Sequence, residues 1–328
     1  MKHEFLQRIW YGGARVPWWL VMLVPVYRVL AMLRALPYTL GWRRRARIGV
    51  PVVVVGNLVV GGSGKTPLVI ALAQALRERG WRPGVVSRGY GGSTSAPRLL
   101  DAHATPAEVG DEPCLIRRRS QVPVAIGSDR VRAARLLLDA GVDVVIADDG
   151  LQNPHFARDA EICVIDGRRR FGNGRLLPAG PLREPLSRLP HLDFRVCNGA
   201  GAGADEVPMR LLGEVALPLD GHEAPRALAS FGPGRVHAVA AIGDPARFFA
   251  SLRDHGIELI EHAFADHHAF VAADLDFGDT LPVLMTEKDA VKCRAFAQPW
   301  HWQVPVTADV PASFFDAVAA RLRNAPLR

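Results

Sequence analysis

Residues 51–80 read PVVVVGNLVVGGSGKTPLVIALAQALRERG, and this stretch decides the fold. Val52–Val55 is an unbroken β-branched run, the pattern of a strand buried on both faces of a parallel sheet. Leu68–Arg79 has helical composition and ends at Gly80, a suitable C-cap. Between them lies Gly61-Gly62-Ser63-Gly64-Lys65-Thr66-Pro67. The glycines let the backbone turn so that several N–H groups face one point, and the helix start adds partial positive charge there. Lys65 can reach the β- and γ-phosphates of a nucleotide, and the Thr66 hydroxyl is a ligand for Mg²⁺. Pro67 near the helix start loses no helical hydrogen bond. Strand, glycine loop, Gly-Lys-Thr and helix together make a phosphate-binding loop. Val59 stands where the common spacing has glycine, which leaves Gly61 and Gly62 to supply the flexibility.

Downstream, Val142–Ala147 is a second apolar strand, ending in Asp148-Asp149-Gly150. Ligands of open α/β sheets bind beyond the carboxyl ends of strands, where such carboxylates meet the Mg²⁺ carried by Thr66. Asp-Asp-Gly is also ordinary turn chemistry. Behind a phosphate loop the functional reading is the one adopted. Gly110-Asp111-Glu112-Pro113 sets an acidic pair just before a helix, where capping and catalysis are both open readings. Asp266-His267-His268 joins a carboxylate to imidazoles that titrate near neutrality, so it could handle a proton or lie in a surface loop. Arg168–Arg183 is rich in Arg, Gly and Pro and reads as a long functional loop able to meet phosphate.

Composition narrows the class. The 328 residues hold 40 Lys+Arg against 33 Asp+Glu, a net +7, which suits nucleic acid, an anionic membrane or a phosphorylated substrate. No nucleic-acid module is present, so nucleic acid is not expected as a partner. The four cysteines are scattered and form no CxxC pair, against a disulfide framework or a zinc site. A guanine-reading Asn-Lys-x-Asp element is missing, Thr286-Glu287-Lys288-Asp289 being the nearest approach, so a GTPase switch is disfavoured. Val16–Leu36 is apolar and aromatic, with basic residues on both flanks, including Arg8, Arg15, Arg43 and Arg44. This pattern predicts a helix associated with an anionic membrane surface. Pro25 is expected to kink or break that helix.

These readings give an α/β fold. A P-loop NTPase-like domain with a mostly parallel sheet spans 48–220, after an N-terminal membrane-associated segment at 1–47. A second, smaller α/β domain covers 221–328.

Taken together, GNLVVGGSGKTP at 56–67, SRGYGG at 87–92, VGDEP at 109–113, DDGLQN at 148–153, RDAEICVIDGRRRFGNGRLLPAGPLREP at 158–185, AIGDP at 241–245, ADHHAF at 265–270 and MTEKDAVK at 285–292 resemble the tetraacyldisaccharide 4'-kinase family in order along nearly the whole chain. The resemblance implies transfer of the ATP γ-phosphate to the 4'-hydroxyl of tetraacyldisaccharide 1-phosphate, giving lipid IVA. It implies ATP and Mg²⁺ as cofactors and residence at the cytoplasmic face of the bacterial inner membrane. Gly61, Gly62, Ser63, Gly64, Lys65 and Thr66 would hold the nucleotide. Asp111 would direct the hydroxyl proton, paired with His267. Glu112 and Asp148 would lie at the metal with Thr66, and Asp149 beside the reacting hydroxyl. Arg168 and its neighbours would approach substrate or phosphate. Family members often have His where this chain has Asn153.

Overall fold

The computed structural model describes residues 2–94, 96–221, 223–232 and 234–325, with side chains from Phe5 onward. Helices α1 (Lys2–Trp10) and α2 (Trp18–Thr39) precede strand β1 (Val52–Gly56) and helix α3 (Lys65–Glu78). There follow β2 (Pro83–Ser87), β3 (Arg98–Leu99), α4 (Pro106–Val109), α5 (Asp111–Ser120), β4 (Val124–Ile126), α6 (Arg130–Asp139), β5 (Val144–Asp148), β6 (Ala160–Asp166), β7 (Phe194–Asn198) and β8 (Val207–Leu212). The remaining elements are β9 (Val215–Pro218), β10 (Arg226–Ala227), β11 (Arg235–Ala240), α7 (Pro245–Arg253), β12 (Glu258–Ala263), β13 (Val283–Thr286), α8 (Glu287–Cys293), β14 (His301–Val304), β15 (Thr307–Asp309) and α9 (Ala312–Arg323).

The larger sheet runs β15-β8-β7-β6-β1-β5-β2-β4-β3. Its pairings from β8 through β4 are parallel, with antiparallel strands at the two edges. The valine run explains the centre. Val53 and Val55 turn to one face with Leu68, Leu72 and Leu76 of α3 and with Phe314 and Val318 of α9. Val52 and Val54 turn to the other face with Val131 and Leu137 of α6. Every residue of β1 is buried, so alternation buries both sets, each valine stabilising by about 1.5–3 kcal/mol.

A smaller sheet, β10-β9-β14-β13-β11-β12, is parallel from β14 to β12 and carries its own cores. Sheet membership does not follow one cut at residue 220. Strand β9 pairs with β14 in the smaller sheet, while β15 and α9 return to the larger one. The returning helix covers a face of the larger sheet and buries Phe314 and Leu322 there.

Of the kink or break expected at Pro25, the break does not occur. Helix α2 runs unbroken for 22 residues with Pro25 and Pro37 inside it. A proline removes one hydrogen bond, and the intact bonds on either side carry the helix past it. At 1.5 Å per residue it is about 33 Å long, enough by length and composition to cross a hydrocarbon core. Trp18, Met22, Val26, Leu30 and Leu33 form an exposed apolar stripe along it. The other side is fastened: Leu20 packs with Ile9, Trp10 and Ala179, and the Tyr27 hydroxyl donates to the Arg183 carbonyl at 2.8 Å.

Phe314→Ala should lower the stability of the whole chain by about 3–5 kcal/mol in urea unfolding, because the ring fills the nucleotide-side core against Phe194. A loss under about 1 kcal/mol would mean that α9 is only loosely applied to the larger sheet.

Candidate active site

The glycine loop joins β1 to α3 at the carboxyl edge of the larger sheet. Gly64 stands before the helix with φ +91° in the left-handed region, and a Cβ there would collide with the Asn198 amide. That amide donates to the Ser63 carbonyl at 3.0 Å and so pins the loop from β7. Asn57 Nδ2 donates to the Gly61 carbonyl at 3.2 Å and closes the other limb. Ser63 is buried and its Oγ has no hydrogen-bond partner in the structure. Lys65 and Thr66 open α3, and Lys65 Nζ lies 3.6 Å from Asp149 Oδ1.

Asp148 and Asp149 sit side by side yet experience opposite fields. Asp148 is 1% exposed; Ser87 donates to its Oδ2 at 3.3 Å, and its Oδ1 has no partner. Burial first, then the charges of Glu112 and Asp149, push its carboxyl up to about 7 despite Lys65 and Arg130. Burial acts on Asp149 in the same direction, but Lys65 and Arg183 together outweigh it and hold this carboxyl below its ordinary value. Arg183 Nη1 reaches Oδ2 at 3.0 Å and Oδ1 at 3.1 Å. Asp149 has φ +47°, a left-handed conformation that costs a non-glycine residue about 1–3 kcal/mol and is held here by Arg130 donating to its carbonyl at 2.8 Å.

The acidic pair of α5 meets the smaller sheet. Asp111 and Glu112 form the first turn of α5, after Gly110 at φ +93°. His267 Nδ1 lies 3.3 Å from Asp111 Oδ2, and Lys292 Nζ lies 3.3 Å from the same oxygen. Burial raises the Asp111 carboxyl, but His267, Lys292 and Lys288 outweigh it, so it lies below its ordinary value. Like Asp149, His267 is left-handed, with φ +63°, and its ring meets Tyr90 edge-on at 5.4 Å. Glu112 Oε1 lies 3.4 Å from Lys288 Nζ. The loop at Gly243 covers the phosphate loop: a Cβ on Gly243 would stand 3.4 Å from the Gly62 nitrogen and 3.6 Å from Asp266 Oδ2. Thus Asp111, Glu112, Asp148, Asp149, Lys65 and His267 belong to one region, built from both sheets.

The arginines of the long loop go to different partners. Arg168 is exposed, Arg169 pairs with Asp244 at 2.8 Å, and Arg170 pairs with Glu206 at 2.7 Å. Arg183, at the far end of the loop, is the one that grips Asp149. Arg183 closes the loop that the sequence singles out for phosphate, whereas reading the sequence missed Arg130, Lys288 and Lys292. Only the lysines left a trace there, an i, i+4 pair on one helical face.

Mg²⁺ needs one or two carboxylates and keeps several waters. The unpartnered Oδ1 of Asp148, beside the like charges of Glu112 and Asp149, suits such an ion. No cluster of three or more His, Cys, Asp or Glu poised for a metal occurs among the described residues, so phosphate and water would complete the coordination.

The sequence profile of the family "LpxK: Tetraacyldisaccharide-1-P 4'-kinase" matches residues 16–323. The tetraacyldisaccharide 4'-kinase of Stenotrophomonas maltophilia (strain R551-3) is 50% identical over 323 residues, covering 95% of this chain and 95% of the relative. That of Xanthomonas euvesicatoria pv. vesicatoria (strain 85-10) is 50% identical over 328 residues, covering 96% and 95%. The solved structure of "apo" form LpxK from Aquifex aeolicus in complex with ATP is 26% identical with a TM-score of 0.76, covering 92% of this chain and 98% of that one.

The raised carboxyl of Asp148 sets a pH dependence. Folding favours its protonated form, so its contribution is full below the unfolded value of 3.8 and is lost as pH rises through about 7. Asp148→Asn should therefore melt higher than the parent at pH 8 and close to it at pH 4.5, with Mg²⁺ and ADP narrowing the gap at pH 8. Melting curves that keep the same spacing at both pH values would contradict this electrostatic account.

Proposed function

This chain belongs to the tetraacyldisaccharide 4'-kinase family, and from that premise we propose how its residues divide the work. The protein is an ATP-dependent lipid kinase of lipid A biosynthesis, phosphorylating the 4'-hydroxyl of tetraacyldisaccharide 1-phosphate. The observation that carries the assignment of roles is the 3.3 Å contact between Asp111 and His267, made from opposite sheets beside the phosphate loop.

The loop amides and Lys65 bind the β- and γ-phosphates and offset their charge. Asp111, oriented by His267, takes the proton of the 4'-hydroxyl. The freed oxygen forms the bond to the γ-phosphorus as the bond to the β,γ-bridging oxygen breaks, and ADP leaves with that electron pair. A sugar hydroxyl is a weak acid, so a carboxylate held ionised is well suited to receive its proton as the new bond forms. Asp149 lies beside the reacting hydroxyl, its carboxylate fixed by Arg183 and Lys65. Mg²⁺, held by Thr66, Asp148 and Glu112, would supply further neutralisation of phosphate charge. The Gly243 loop over Gly62 keeps water from the donor.

The exposed stripe of α2 supports membrane association, with Arg28 and Arg34 extending their charges towards the lipid–water boundary. We place the site at the cytoplasmic face of the inner membrane, where the acceptor is embedded.

With γ-labelled ATP and the acceptor in micelles, label should enter the lipid. Lys65→Ala and Asp111→Asn should each lower kcat by at least about 100-fold. ATP hydrolysis without labelled lipid would overturn the assignment. Met22→Glu combined with Leu30→Glu should reduce co-flotation with anionic vesicles; undiminished flotation would remove α2 as the anchor.

A further inference from the structure

Lys292 lies in α8, in a different sheet from the phosphate loop and far from it in sequence. Its ammonium has three protons and three acceptors: Asp111 Oδ2 at 3.3 Å, Asp289 Oδ1 at 3.1 Å and the His268 carbonyl at 3.1 Å. Two of these contacts are hydrogen bonds, to Asp289 and His268, and the third is an ion pair with Asp111. The side chain is 9% exposed, and the Phe270 ring stands 5.4 Å from Nζ. The socket is fixed independently of Asp111. Asp289 is fully buried, and its Oδ2 accepts from the Ala241 amide at 2.9 Å and from the Thr286 hydroxyl at 2.6 Å. Lys288, one turn earlier, is looser, facing Glu112 at 3.4 Å and Asp266 at 3.7 Å.

The contacts on Asp111 are one-sided. His267 and Lys292 both make their closest contacts with Oδ2, while Oδ1 accepts no hydrogen bond among the described residues. A carboxylate held by one oxygen from two directions cannot rotate about its Cβ–Cγ bond, and its other oxygen is kept for an incoming hydroxyl.

We infer that Lys292 is the positioning residue that locks the Asp111 carboxylate by Oδ2 and presents Oδ1 to the acceptor hydroxyl. This rests on the reading of Asp111 as the proton acceptor. Lys292 touches neither substrate; it acts through Asp111, and Asp289 acts through Lys292. Misplacing a reacting group by about 1 Å costs on the order of 100-fold in rate, and that is the scale expected here.

The test is a double-mutant cycle in the full chain, with γ-labelled ATP and the tetraacyldisaccharide 1-phosphate. Lys292→Met should lower kcat by about 100-fold while the KM values for ATP and acceptor stay within about threefold. Lys292→Met leaves Asp289 buried and unpaired, which could unfold the chain, so Lys292→Met/Asp289→Asn is measured beside it. That double variant should regain the parental melting temperature and keep the kcat loss. In an Asp111→Asn background, adding Lys292→Met should cost less than about threefold more. An equal loss in both backgrounds, a change confined to KM, or recovery of kcat together with the melting temperature would overturn the inference. Parental kcat for Asp111→Asn alone would instead remove the underlying reading of Asp111, and the cycle separates the two failures.

Discussion

Asp111, Glu112, Asp148 and Asp149 crowd the mouth of one glycine loop, and much of the molecule is arranged to bring cations to them. Two unit charges 4 Å apart repel by about 4 kcal/mol near a protein surface, so an uncompensated group of this kind would splay the strand ends that carry it. Lys65 comes from α3, Arg183 from the long loop, and Lys288 and Lys292 from α8 of the other sheet. Burial and contact with cations together decide the outcome for Asp111, Asp148 and Asp149. Asp149 and Asp111 touch cations and stay readily ionised. Asp148, fully buried, accepts from the Ser87 hydroxyl and from no cation among the described residues, and is driven towards its neutral form.

A second set of charges forms the seam between the sheets. Arg119 meets Glu287 at 2.6 Å, Arg169 meets Asp244 at 2.8 Å, and Arg247 meets Asn198 at 2.8 Å and Asp166 at 3.5 Å. The apolar cores stay separate on either side. A polar seam of this kind parts more easily than a shared core, and its residues are the ones that hold the phosphate loop and the acidic pair in register. Asn198 serves both, accepting from Arg247 and donating to Ser63.

What could be read in the sequence was what neighbours along the chain determine. The valine run, the glycine turn and the Asp-Asp at a strand end are local patterns, and each lies where its pattern placed it. The meeting of Asp111 with His267 came from family resemblance alone, because 156 residues separate them and no periodicity links the two. The meeting of Lys288 with Glu112, 176 residues apart, was invisible for the same reason. Pro25 does not break α2, because one lost hydrogen bond is set against the many on either side. The return of β15 and α9 was hidden because an amphipathic helix does not state which sheet it will cover.

The hydroxyl of Tyr27, halfway along the exposed apolar helix, ends on the carbonyl of Arg183, the residue whose guanidinium grips Asp149. In a chain moored through that helix, one residue fixes the altitude of the reacting carboxylates above the acyl boundary. Lifting a lipid with four chains out of a leaflet costs about 0.8 kcal/mol for every methylene exposed, a prohibitive sum. A catalytic centre held at constant height has no need to lift it. For a chain so moored, an acceptor confined to the leaflet would be met by a two-dimensional search in place of a three-dimensional one.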